Sequence, residues 1–292
     1  MLYGAYGSTG RLILDEALRR GHRPRLAGRD GYRLAELGRE TGLAVEPLAL
    51  EDGAALRRAL SRVRAVVNAA GPFRLTGPAM RAACLDAGCS YFDVNGELED
   101  FNAALACDAE ARARDIAIVP GVGYGVVFGE SLAGEVASRL PDATWLRLSL
   151  ATQTAGRSRG ASLSQAAAIA GGGREIREHR LQERALAFSS WRAPDSSASK
   201  MRFSAAPLAE LVAAHRFTGI ANIVAGIALP RAAATLETGE GYRAAAAAVR
   251  AIELQLREPR RGALTPAQAF GTRFALLVPG TQIRELSVGV IA

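Results

Sequence analysis

A chain of 292 residues with 49% hydrophobic and 22% charged content can bury roughly three quarters of its unfolded surface and has room for two domains. The net charge of +7 does not point to nucleic acid, because Lys200 is the only lysine and the arginines are scattered, with pairs such as Arg57-Arg58 too short to track a phosphate backbone. No apolar window approaches the ~18 residues of a membrane span, and the N-terminus opens on glycines instead of a signal peptide, so a cytoplasmic location is expected.

The first 120 residues alternate short apolar runs with longer amphipathic stretches, the pattern of a parallel sheet with crossover helices. Met1 to Tyr3 reads as the visible end of a first strand, followed by a glycine turn and a helix over Arg11 to Arg20 that Gly21 closes. Because the turn begins three residues after Met1, either this strand is short or the native start lies upstream. Strands are expected at Arg23 to Ala27, Ala44 to Leu48, Ala65 to Ala69, Ser90 to Val94 and Ile116 to Val119. Helices are expected at Tyr32 to Thr41, Gly53 to Arg62, Gly77 to Ala87 and Glu99 to Arg114. Beyond Pro120 the rhythm changes. Trp145 to Thr152, Arg184 to Arg192 and Ile220 to Leu229 read as strands, Ser162 to Ala170 as a helix, Arg192 to Lys200 as a loop, and Gly241 to Leu256 as an alanine-rich helix. A final helix starts at Thr265 as N-cap with Pro266 in first position, where its missing N–H costs nothing. The fold expected is α/β: a Rossmann-type doubly wound parallel sheet over 1–120 and a second, smaller mixed α+β domain over 121–292, with the helices of about 240–277 packing back on the first domain.

The N-terminal turn reads Gly4-Ala5-Tyr6-Gly7-Ser8-Thr9-Gly10. A dinucleotide turn needs glycines to bend sharply, to approach the pyrophosphate and to pack helix on strand, and the helix N-terminus adds free N–H groups and a positive dipole end. In a chain with 31 glycines the spacing alone is weak; its place inside a strand-helix-strand unit carries the reading. At the second strand end, Leu26-Ala27-Gly28-Arg29-Asp30 offers the planar fork of Arg29 to a 2′-phosphate, which favours NADP, while Asp30 keeps NAD open. Three further strand ends place small and polar residues on the same edge: Asn68-Ala69-Ala70-Gly71-Pro72-Phe73, Tyr91-Phe92-Asp93-Val94-Asn95-Gly96-Glu97, and Pro120-Gly121-Val122-Gly123-Tyr124-Gly125. The expected cofactor contacts are Gly4, Tyr6, Gly7, Ser8, Thr9, Gly10, Arg29, Asn68, Ala70, Gly71, Pro72 and Asn95.

In this order and spacing GAYGSTGRLI, LAGRD, VVNAAGPF, YFDVNGE and VPGVGYGVV resemble the saccharopine dehydrogenase-like oxidoreductases, including their trans-acting enoyl reductase branch. Ser158-Arg159-Gly160, the stretch from His215 to Ile220, and Leu264-Thr265-Pro266-Ala267 are similar to later landmarks of that family. The resemblance implies a Rossmann domain joined to a smaller mixed domain, usually in a dimer, with NADP(H) at Gly4, Gly7, Gly10 and near Arg29. It says little about substrate, since relatives include saccharopine-forming and saccharopine-cleaving enzymes and enoyl reductases of lipid biosynthesis. The chain departs from the pattern at Gly125, where many relatives carry an acid, and at Phe128-Gly129, where they carry a proline-containing turn.

Hydride transfer needs a bound cofactor, an acceptor held against it and a proton donor where negative charge develops. A Tyr-x-x-x-Lys pair is missing, because Ser196 stands four residues before the only lysine. The candidate donors are Tyr124, His215 and Asp93, with Asp93 and Glu97 also placed to orient cofactor or substrate. Cys84, Cys89 and Cys107 have no metal-ligand spacing and read as buried or half-buried thiols, so no metal is expected. The function expected is an NADP(H)-dependent oxidoreductase reducing a carbonyl, imine or enoyl small molecule; the alternative is a dinucleotide-binding sensor or partner subunit without turnover.

Overall fold

Leu2–Tyr3 (β1) is almost completely buried because both of its edges are paired: Leu2 and Tyr3 stand opposite Leu26 and Ala27 on one side and Val67 and Asn68 on the other. In the computed structural model residues 1–151, 171–192, 202–228 and 239–283 are described. Around β1 the parallel sheet builds outwards through Leu26–Gly28 (β2) to Val45–Pro47 (β3), and through Ala65–Asn68 (β4) and Ser90–Asp93 (β5) to Ala117–Val119 (β6). Fully buried runs such as Ala65–Asn68 are what a sheet covered on both faces demands. The crossovers are Ser8–Arg19 (α1), Gly31–Thr41 (α2), Gly53–Leu60 (α3), Phe73–Ala87 (α4), and the pair Leu98–Leu105 (α5) and Asp108–Ala113 (α6). This is the expected doubly wound Rossmann-type order.

Two differences have local causes. The helix expected from Glu99 to Arg114 is interrupted at Ala106 and Cys107, where Cys107 caps α6 and lets Asp108 reach the Ala263 N–H at 2.8 Å. The helix expected from Arg11 begins at Ser8, because Gly7 is its N-cap and Ser8 and Thr9 already have helical backbone.

Tyr124–Arg139 (α7) leads into the second sheet. Its strands are Trp145–Leu150 (β7), Gly173–Arg177 (β8), Arg180–Arg184 (β9), Ser190–Arg192 (β10), Arg202–Ala205 (β11) and Asn222–Ala228 (β12). Their order is β10-β11-β12-β8-β9; β7 pairs with β12 in parallel and the other pairings are antiparallel. The expected single strand from Arg184 to Arg192 is instead the last residue of β9 and the whole of β10, separated by a turn in which Ala187 has φ +55°. Glu210–Thr218 (α8) lies between β11 and β12 and packs on α7. The helix expected at 162–170, the landmark at 158–160 and most of the loop expected at 192–200 lie outside the described residues.

The chain then returns to the first sheet. Gly239–Arg257 (α9) packs on α1, and Gly262–Ala263 (β13) pairs with Ala117 and Ile118 of β6 as a seventh parallel strand. Pro266–Phe270 (α10) follows with the full capping box that Thr265 promised: its side chain accepts from the Gln268 N–H, and Gln268 answers at the Thr265 N–H. Ile13, Leu14 and Ala17 of α1 share one core with Ala245 to Ala248 of α9, whose small side chains permit close helix approach.

Candidate dinucleotide and active site

Gly4 has φ +80°, and a Cβ there would stand 3.0 Å from Ala70, so the first and fourth strand-end loops touch through glycine. Gly10 faces inward: a Cβ would collide with the Gly4 carbonyl oxygen. Gly7 differs from both. It caps α1 with ordinary φ −73°, brings no side-chain acceptor, and a Cβ on it would meet only the Gly4 oxygen, at 3.2 Å. The first-turn N–H groups of Ser8, Thr9 and Gly10 are thus left without a side-chain cap on a 12-residue helix, an arrangement suited to a pyrophosphate.

At the β2 end Gly28 is required by Tyr6, whose ring lies where a side chain would be, 2.7 Å from the Cβ position. The Tyr6 hydroxyl accepts from the Asp30 N–H at 3.2 Å. Asp30 itself is the N-cap of α2, accepting from the Arg33 N–H at 3.1 Å. Its carboxylate is thereby turned toward the helix end, while Arg29 is exposed at the strand terminus.

The fourth strand end carries half-buried Ala69 and Ala70, exposed Gly71 and the cis Gly71–Pro72 bond. Asn68 and Asn95, expected as cofactor contacts, are turned inward and their side chains are spent on the protein. Asn68 donates to Thr76 Oγ1 at 3.2 Å and accepts from the Ala70 N–H at 3.1 Å. Asn95 donates to Asp100 at 2.8 Å and accepts from the Glu97 N–H at 2.7 Å. Glu97 caps α4, its two oxygens accepting from the Phe73 and Arg74 N–H groups at 2.7 and 2.9 Å.

Asp93 is fully buried and accepts three hydrogen bonds: from Tyr91 Oη at 2.6 Å, the Asn95 N–H at 2.9 Å and the Gly121 N–H at 2.8 Å. Burial pushes its carboxyl up to about 6, against the pull of those donors. It ties the ends of β5 and β6 together. His215 sits in the last turn of α8 with Nε2 3.4 Å from His179 Nδ1 in the β8–β9 turn. Because α8 is registered along α7 with Glu210 at Gly125 and Phe217 at Gly134, His215 lies about 7.5 Å farther along the helix than Glu210, away from the strand ends. Tyr124, by contrast, opens α7 directly after the β6 strand-end turn, half-buried, its ring 5.0 Å from that of Phe128.

A carboxyl that sequence reasoning missed belongs here. Glu210, in the first turn of α8, is buried against Gly125 and Gly129, and its Oε1 occupies the space a side chain at 125 would fill. Burial pushes it up to about 7. The space beside Gly125 is thus filled by an acid from another helix. Recognising 210–218 as an amphipathic helix packed on α7 would have been needed to find it. Among the described residues no group of three metal-ligating side chains occurs, and no helix is long and apolar enough to cross a membrane.

Residues 4–90 match the family model described as NAD(P)H-binding. An NAD(P)H-binding domain is present. A probable mitochondrial saccharopine dehydrogenase-like oxidoreductase of Arabidopsis thaliana is 31% identical over 115 residues, covering 34% of this chain and 25% of that protein. A trans-acting enoyl reductase of Mycobacterium tuberculosis is 35% identical over 105 residues, with the same 34% and 25% coverage. The chain therefore spans a quarter of the length of the curated relatives it matches. Saccharopine dehydrogenase (L-Glu forming) of Saccharomyces cerevisiae has a similar fold, with a TM-score of 0.56 at 10% identity, over 87% of this chain and 57% of that one. The NAD(P)H-binding domain so matched runs from Gly4 through the strand ends of β1, β2 and β4.

Proposed function

We propose that the protein is an NADP(H)-dependent oxidoreductase, similar to the saccharopine dehydrogenase-like enzymes, that reduces a carbonyl, imine or enoyl compound. The observation that carries the cofactor is the β2 end: the acid that directly follows the strand, Asp30, is committed to capping α2, and Arg29 is left exposed to meet a 2′-phosphate. The α1 N-terminus fits a pyrophosphate, because its cap is a glycine that brings no side-chain acceptor to the first-turn N–H groups. Bound there, the dinucleotide supplies the hydride. Ser8, Thr9 and Gly10 offer backbone N–H groups to the phosphates, and Ala70, Gly71 and Pro72 present small surfaces along the route to the reacting end. Asn68 and Asn95 hold those loops in shape from behind. The phenol of Tyr124 is the donor best placed to deliver a proton on this edge.

A dinucleotide-binding sensor without turnover is the second reading, and a specific observation favours it: Asp93 is locked between β5 and β6, and His215 faces His179. Titrating NADPH by its fluorescence and then following its oxidation at 340 nm across 2-oxo acids, imines and enoyl thioesters separates the two. Oxidation with one substrate class supports the reductase; tight binding with no turnover on any class supports the sensor; no binding removes both.

A further inference from the structure

The β2–α2 turn carries a second guanidinium besides that of Arg29. Arg33 stands 4.8 Å over the centre of the Tyr6 ring, and its Nη2 donates to the Tyr6 carbonyl at 3.3 Å. Tyr6 is itself held from two sides: its ring lies on Gly28, where a Cβ would crowd it at 2.7 Å, and its hydroxyl accepts from the Asp30 N–H. A residue of the phosphate turn thus seats an arginine of α2 at the end of β2. Arg33 is exposed, as is Arg29. Nearby, Arg11 pairs with Glu40 at 2.8 Å and Arg25 with Glu46 at 3.5 Å. Among the described residues neither Arg29 nor Arg33 has an acidic side chain in ion-pair contact, and Asp30, adjacent in sequence to Arg29, receives the Arg33 backbone N–H instead.

Two uncompensated guanidiniums beside one strand end, one of them stacked into place, are an arrangement built for a dianion. We propose that Arg33, aimed by Tyr6, closes a two-arginine clamp with Arg29 around the 2′-phosphate of the adenosine ribose, and is a specificity-determining residue for NADPH over NADH. The clamp rests on the NADP(H) reading above. Its physical basis is that a phosphate dianion offers oxygens to two planar forks at once, and that a guanidinium already stacked on an aromatic ring loses little further freedom on binding. Tyr6 is a positioning residue in this scheme, and Arg33 the contact.

The test measures dissociation constants for NADPH, NADH, 2′,5′-ADP and 5′-AMP with the wild-type chain and with Arg33→Ala, Arg33→Lys, Tyr6→Leu and Arg29→Glu, at low and at 0.5 M salt. Arg33→Ala is expected to weaken NADPH and 2′,5′-ADP by about tenfold or more while NADH and 5′-AMP change less than about twofold. Arg33→Lys should recover part of that loss, and Tyr6→Leu should reproduce the direction of Arg33→Ala. High salt should shrink the wild-type preference for NADPH. Equal losses for NADPH and NADH in Arg33→Ala would show adenine stacking or a structural role and overturn the clamp, as would no loss at all. If Arg29→Glu is selective and Arg33→Ala is not, Arg29 alone reads the phosphate and only the clamp fails. Wild-type chain that prefers NADH, or binds neither, overturns the NADP(H) reading and the clamp with it.

Discussion

Gly10 and Gly7 of one motif are required for different reasons, and substitution should separate them. At Gly10 a methyl group would run into the Gly4 carbonyl and sit 3.0 Å from Ala5 Cα, backbone that cannot yield without moving α1 off the sheet. Gly10→Ala should therefore destabilise the fold by about 1–3 kcal/mol, the usual cost of overpacking, read as a lowered midpoint in thermal denaturation. Gly7→Val meets one carbonyl oxygen and otherwise open space beside the α1 N-terminus. It should lower the midpoint less than Gly10→Ala and abolish NADPH binding in a fluorescence titration; retained affinity would count against the cradle. Glu210 provides the pH-dependent case. Its carboxyl is pushed up from 4.5 to about 7 by burial, so the folded chain holds this proton more tightly than the unfolded one. Its contribution is most favourable below about pH 4.5, declines between 4.5 and 7, and is constant above. Glu210→Gln should match wild type at pH 4.5 and exceed it at pH 8 by up to about 3 kcal/mol, measured by urea unfolding at the two pH values. At this scale the crowded glycines of the turn and the place of Arg29 at the end of β2 were legible in the sequence, because they depend on residue type and local order. The inward turn of Asn68 and Asn95 was not, since it depends on Thr76 and Asp100 reaching them through the fold.

At the scale of elements, the ends of β4, β5 and β6 owe their geometry to a buried polar chain as much as to the strands. Arg81 of α4 forms two hydrogen bonds with Asp100 of α5, at 2.9 and 2.7 Å, with both side chains buried, and Asn95 joins Asp100 at 2.8 Å. From Asn95 the chain passes through Glu97 to the first turn of α4. Arg81→Met would leave a buried carboxylate without its cation, a change that costs about 3–5 kcal/mol, visible as a shift of the denaturant midpoint. The double change Arg81→Met with Asp100→Leu should regain most of that stability, because no uncompensated charge remains. A double variant as unstable as the single would show that the pair is needed for shape and not for charge balance. The two turns of the second sheet that escaped sequence reading have a common physical reason. The β8–β9 hairpin turns at Glu178 and His179, both with positive φ at 49° and 64°, without the glycine or asparagine that normally marks such a turn. The break between β9 and β10 rests likewise on Ala187, an unmarked left-handed residue. Where turn chemistry was conventional, as at Gly42 closing α2 and Gly88 closing α4, the element ends could be read directly.

For the whole molecule, the decisive feature is that the chain leaves the first sheet after β6 and comes back to it. The alanine-rich helix was legible from composition, but a two-residue strand is too short to carry a periodic signal, so the seventh position of β13 was not. This return makes the first sheet depend on chain that follows the second. α7 adds a further link: Gly134 is packed between Phe217 of α8 and Thr272, which follows α10, and Glu130 accepts from the Ala267 N–H at 2.8 Å. Two sheets joined in this way should unfold together. Both tryptophans, Trp145 on β7 and Trp191 on β10, lie in the second sheet, so intrinsic fluorescence reports that sheet selectively. On the proposed reading, loss of NADPH binding reports the strand ends of the first. In urea the two probes should give the same midpoint and the same slope, as one cooperative transition requires. A tryptophan transition well below the loss of NADPH binding would mean that the first sheet stands without the second, and that the contacts of α7 with α8 and α10 do not couple them.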